Sequence, residues 1–192
     1  MLLTLGDAHG AAEQQRRAIG LAPSFANAHA NLGRALEALG QHDEAELAYR
    51  TALRIDTTSA NAAGALGDLL VSLHRWREGL EVLRELAQRT PLDRGLARNL
   101  AWWLATCPDA EVRDARSALA LVADDLPRTD SSAQDLDTLA AVLAANGRFD
   151  EARTFADRAL EVLRRDGPRE AIPEVEARAA LYSAGRAFVL PP

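Results

Sequence analysis

The chain has 192 residues, 48% hydrophobic and 26% charged, with a formal net charge of −6 and an isoelectric point near 5.3. Such a composition suits a folded, soluble chain, but lacks both the ~20-residue apolar run of a membrane helix and the dense basic face that nucleic acid demands. All 22 basic residues are arginine, which excludes a Walker-A lysine, a Schiff-base lysine and a serine–lysine dyad, and the single cysteine, Cys107, excludes an internal disulfide.

In chain order, Met1–Asp7 is too short an apolar stretch for a signal peptide and has no basic leader. Gly6 then predicts a turn, and a helix is expected over 8–21, ended by Pro23. Leu32, Leu36 and Leu39 recur at helical spacing and predict a helix over 26–39, with Gly40 supplying the left-handed residue after it. A partner helix over 42–55 follows. Leu66, Leu70 and Leu73 repeat the pattern in a pair at 60–73 and 76–89, which Pro91 closes. Further helices are predicted at 94–106, 112–126, 132–146 and 149–165, with an insertion at Thr106–Arg113 and Gly147 as another left-handed turn. Ser132 with Asp135 forms an N-cap pair. The last helix, 170–184, has Ile172, Val175, Ala179 and Tyr182 on one face and Glu174, Glu176 and Arg178 off it. A polar-backed helix of that kind caps an array.

These elements repeat. Leu32-Gly33 and Leu66-Gly67 lie 34 residues apart, as do Leu36 and Leu70, Glu44 and Glu78, Ala45 and Gly79, and Tyr49 and Leu83. Self-similarity of this period marks a solenoid whose units bury their apolar faces only by stacking. Gly33, Gly67, Ala101 and Ala140 stand opposite Ala45, Gly79, Ala118 and Ala152, small enough to let paired helices approach closely. The fold class is therefore all-α, a helical solenoid.

At these residues the chain resembles the tetratricopeptide repeat (TPR) family, with its W-x2-L-G-x2-Y, A-x3-F and A…P pattern. The unit 26–59 gives Leu32-Gly33-x2-Leu36, Ala45-x3-Tyr49 and Ala52; the unit 60–93 gives Leu66-Gly67-x2-Leu70, Gly79-x3-Leu83 and Pro91. Leu100-Ala101-x2-Leu104 and Leu139-Ala140-x2-Leu143 open the next two. The resemblance implies a right-handed superhelix over 1–192: a partial repeat at 1–25, repeats at 26–59, 60–93, 94–132 and 133–166, and a capping helix and tail at 167–192. A more specific likeness links Asn99–Asp109, Arg113-Asp114, Leu139–Ala152 and Leu181–Arg186 to the C-terminal TPR module of large bacterial proteins, some with glycosyltransferase-like or kinase domains.

The residues support no catalytic site, cofactor or metal. His9, His29, His42 and His74 lack ligand spacing, and Cys107 has no histidine within thirty residues. The family instead implies a binding wall on the concave face. By register the binding residues there are Asn27, Asn31, Arg34, Asn61, Asp68, Arg98, Asn99 and Trp102, with Glu37, Asp137 and Thr138 also on that side. Asn31 and Asn99 fall where O-linked N-acetylglucosamine transferases, which this chain resembles there, carry an asparagine ladder for peptide backbone. An amide both donates and accepts, so it serves any side chain, while Arg34 and Arg98 would favour acidic ones. Trp102 and Trp103 point about 100° apart: Trp103 is expected in the core, Trp102 either on the groove as an anchor or under the neighbouring helix.

The expectation is a non-catalytic scaffold that binds a protein or peptide, with no nucleic-acid partner and no direct membrane insertion. The alternative is a recognition arm of a larger enzyme such as a TPR-containing glycosyltransferase. No compartment can be assigned. Leu2, Leu3, Leu5, Ala11, Ala12, Ala18 and Ile19 are expected to lie bare at the N-terminal end, where upstream repeats or a second copy would cover them.

Overall fold

A computed structural model describes residues 5–123 and 132–191. Among them are ten α-helices and no strand: α1 (Leu5–Leu21), α2 (Ala26–Ala38), α3 (His42–Ile55), α4 (Ala60–Ser72), α5 (Trp76–Arg89), α6 (Arg94–Thr106), α7 (Ala115–Val122), α8 (Ala133–Ala145), α9 (Phe149–Asp166) and α10 (Ile172–Ser183). A 3-10 turn, Arg169–Ala171, leads into α10. The all-α solenoid pattern of helix pairs is present, in two compact units, Met1–Leu96 and Ala97–Pro192.

In the first unit α2 packs on α3 and α4 on α5, with α3 against α4 and α1 against α2. Leu36, Tyr49, Leu66, Leu69 and Leu70 form the core between the pairs. The small residues at the crossings have a direct cause. A Cβ on Gly33 would lie 2.5 Å from Tyr49 Cε1, and one on Gly79 would lie 3.0 Å from the carbonyl oxygen of Gly67. The first pair thus closes ring on backbone, the second backbone on backbone. Outside this contact Arg75 grips Glu78 through two bonds of 2.7 and 2.6 Å and reaches Glu46 at 2.6 Å, while Arg50 pairs with Glu46 as well.

The turn inside each pair is the same hydrogen-bonded device. Gln41 N–H donates to Leu36 O, Arg75 N–H to Leu70 O and Arg148 N–H to Leu143 O, at 2.9, 2.8 and 3.0 Å. The residue before each donor is left-handed: Gly40 (φ 72°), His74 (φ 60°) and Gly147 (φ 77°). Histidine takes the glycine place in the second pair, and its Cβ meets the steric penalty that glycine avoids.

The first helix differs from the expectation. It begins at Leu5 and runs on through Gly6 without a turn there, since a single glycine only weakens a helix. Leu2 and Leu3 lie outside the described residues, as does the side chain of Leu5. Ala12 is buried rather than bare, and Ala11, Ala18 and Ile19 are half-buried, because α1 packs along α2.

In the second unit α8 packs on α9 and α9 on α10. Ala140, Leu143, Ala152, Ala156 and Tyr182 form one core cluster, and Leu136, Leu160, Leu163 and Val175 another. Ser132 and Asp135 exchange the two bonds of a capping box at 3.2 and 3.1 Å. The insertion after α6 is a compact turn in which Asp109 O accepts from Val112 and Arg113, and Asp114 N–H donates to Leu104 O at 2.8 Å. This delays α7 to Ala115, where the Asp114 carboxylate caps it by accepting from Ser117 N–H at 3.0 Å; the predicted end at 126 lies outside the described residues. Arg178 was expected on the outer side of the last helix. It turns inward instead and forms a bidentate pair with Asp137 at 3.1 and 2.7 Å.

Ala45, Ala118 and Ala152 are all fully buried. Ala152→Leu is expected to lower stability by about 1–3 kcal/mol through overpacking, measured by chemical denaturation. His74→Gly should act in the opposite sense, raising stability by about 1 kcal/mol as the left-handed penalty is removed. Loss of the edge contact between His74 and Trp76, whose ring centroids are 6.2 Å apart, would reduce that gain.

Candidate functional site

The first unit carries a cleft of about 690 Å³. Arg34 and Glu37 come from α2, and Asn61, Gly64, Ala65 and Asp68 from α4. Residues three and four apart share a helix face, so each helix presents its polar pair to the same space. Tyr49 of α3 reaches the cleft across the gap left by Gly33, and its hydroxyl donates to Glu37 Oε2 at 2.9 Å. Leu96 closes one wall by filling the space at Gly64, where a Cβ would come 2.7 Å from Leu96 Cδ2. Asp93 lines the cleft too while its carboxylate accepts from Leu96 N–H at 3.0 Å.

Three carboxylates and one guanidinium therefore face this space. Burial in the cleft wall, and then the neighbouring Glu37 carboxylate, push Asp68 up to about 6, although its side chain keeps contact with solvent. Burial and the hydrogen bond to Glu37 push the Tyr49 phenol well above its ordinary value. Two carboxylates that repel in a partly desolvated cleft favour a cation between them.

The predicted binding residues separate. Arg34, Asn61 and Asp68 line the cleft; Asn27 and Asn31 are on α2 beyond its walls. Arg98, Asn99 and Trp102 belong to the second unit and are half-buried. Arg98 is ion-paired with Asp135, which neutralises the charge expected to attract acidic ligands. Trp103 is in the core, and Trp102 packs against Phe188 with ring centroids 6.0 Å apart. Sequence reasoning missed Tyr49, placed only as a position of the repeat pattern, and Asp93. Both enter the cleft from elements other than the first helix of a pair.

No group of three or more His, Cys, Asp or Glu able to hold a metal occurs among the described residues. None of the described helices is long and apolar enough to cross a membrane. Residues 2–60 match the family model of the tetratricopeptide repeat, the same span that holds the Gly33–Tyr49 crossing.

That span carries a tetratricopeptide repeat.

Solved TPR structures share the fold of the chain. YrrB, described as a TPR protein with an unusual peptide-binding site, is 19% identical, covers 92% of this chain and 87% of its own, and superposes with a TM-score of 0.67. A thermophilic TPR protein of Thermus thermophilus is 21% identical over 94% and 92%, TM-score 0.61. PilF of Pseudomonas aeruginosa is 20% identical over 93% and 85%, TM-score 0.64. At these identities the likeness is one of fold. No curated protein matches the chain.

Asp68 provides a test of the cleft's electrostatics. Its folded pKa lies above the usual 3.8, so the folded chain holds this proton more tightly than the unfolded chain does. Its contribution to stability is greatest below the unfolded value and is lost as pH rises through about 6. Asp68→Asn should therefore gain stability relative to the parent chain at pH 7.5 and gain little at pH 4.5, measured by thermal melts at both values.

Proposed function

We propose that this chain is a non-catalytic interaction module whose first-unit cleft binds an extended peptide through a basic side chain. The observation that carries the reading is the charge imbalance of the cleft. Glu37, Asp68 and Asp93 outnumber Arg34, and Asp68 is held at a raised pKa that a bound cation would relieve. A peptide guanidinium or ammonium placed between Glu37 and Asp68 meets two acceptors in a site partly shielded from water, where ion pairing gains most.

Asn61 in the cleft suits the peptide main chain, since its amide donates and accepts. Asn27, Asn31 and Arg34 follow at i, i+4 and i+7 on α2 and continue that polar track along one face. Arg34 would meet a carboxylate or carbonyl flanking the basic residue. YrrB, a structure of the same fold, is described with a peptide-binding site, which supports a peptide as the class of ligand.

Fluorescence anisotropy with otherwise identical labelled peptides carrying Arg, Gln or Glu at one position tests this. The Arg peptide should bind tightest, more tightly at pH 7.5 than at pH 5 as Asp68 ionises, and more weakly in high salt. Asp68→Asn combined with Glu37→Gln should remove the preference for Arg, roughly a tenfold effect for a partly shielded pair. Asn61→Ala should weaken all three peptides alike. A preference for the Glu peptide, or an Arg preference untouched by the double change, would defeat the reading.

A further inference from the structure

In the second unit the segment after α10 folds back against the end of α6. After α10 the chain turns at Gly185 (φ 66°), with Arg186 N–H donating to Leu181 O at 2.9 Å, and residues 186–191 run without helix. Leu190 N–H donates to Thr106 O at 2.8 Å, so the segment lies along the end of α6. Phe188 meets the Trp102 ring, and the Arg178 guanidinium sits 5.4 Å from the centroid of each. One planar cation serves two aromatic faces.

That cation is built in, not borrowed from solvent. Arg178 and Asp137 are each only 11% exposed at the side chain and are joined by two bonds. The pair fixes the guanidinium plane, and an Arg so held loses little freedom when an aromatic ring stacks on it. Beside it lies the hydroxyl of Tyr182, buried and without a hydrogen-bond partner among the described residues, within electrostatic reach of Asp137 and Arg178. Trp102 and Arg178 thus present adjoining faces to Phe188, and the Arg178 face is held by Asp137 rather than by the segment.

The hold on that segment is partial. Ala184, Gly185, Arg186 and Pro191 are exposed and Val189 is 39% exposed, while Ala187, Phe188 and Leu190 are half-buried, the first two against the core cluster of Ala140, Leu143 and Tyr182. A segment with alternating solvated and half-buried residues at the edge of a core opens at a lower free energy than the helices it lies on.

We infer that the slot walled by Trp102 and Arg178 is a binding site for an extended partner segment bearing an aromatic side chain, and that residues 186–190 occupy it as an intramolecular stand-in. The incoming aromatic takes the place of Phe188, and a main-chain N–H two residues further on donates to Thr106 O, as Leu190 does. Tethering gives the chain's own segment a high effective concentration, so the partner meets a site only fractionally open, and its apparent affinity falls by that fraction. The inference shares with the proposed function only the premise that the protein binds peptides; the residues and ligand chemistry are different.

The test uses the full chain and a fluorescein-labelled peptide with the sequence of residues 184–191, read by anisotropy. Phe188→Ser, which empties the slot without touching its walls, should bind the peptide at least tenfold more tightly than the parent chain. The same peptide with its Phe replaced by Ala should bind Phe188→Ser at least tenfold more weakly. Asp68→Asn added to Phe188→Ser should change nothing, which separates this site from the first-unit cleft. Equal binding to the parent chain and Phe188→Ser, equal binding of the Phe and Ala peptides, or loss of binding on Asp68→Asn would each overturn the inference.

Discussion

The structure depends on how closely two helices of a pair can approach. At Gly33 the absent side chain is replaced by the ring of Tyr49, and at Gly79 by the backbone oxygen of Gly67. Interiors pack to crystal density, so these crossings tolerate little added volume. The first-unit cleft hangs from such close approaches. Tyr49 reaches Glu37 only because Gly33 lets its ring through, and Leu96 closes the cleft wall only because Gly64 leaves room.

The two units treat their charges differently. In the first, Glu37 and Asp68 remain near each other with Arg34 as the single cation lining the cleft, and the repulsion survives as a raised Asp68 pKa. In the second, Arg98 meets Asp135 and Arg178 meets Asp137. An unbalanced cleft is ready for a charged ligand, whereas a balanced one offers shape and ring faces. The absence of lysine sharpens the contrast, because the guanidinium plane that pairs with Asp137 also stacks on aromatic rings.

Local periodicity made most helices legible. Boundaries for α3, α5 and α6 coincide with the predicted ones, since leucine spacing, small residues and turn glycines all agree there. It failed where one local signal stood alone. Gly6 looked like a turn but lies within α1, and the insertion at 106–113 consumed the first residues assigned to α7. The site was less legible. Register placed Arg34, Asn61 and Asp68 on one surface, yet contacts between residues far apart in the chain have no local signature. Arg178 lies 41 residues from Asp137, and its inward turn could not be told from the outward charges beside it.

The insertion also shapes the chemistry of sulfur in this protein. Cys107 is the only thiol in the chain and is fully buried, with its own main-chain carbonyl accepting from Arg113 at 3.3 Å. A disulfide reagent or alkylator can reach it only when the structure around it opens. Its modification rate is therefore a built-in clock for local opening of the second unit, readable by mass without altering a residue.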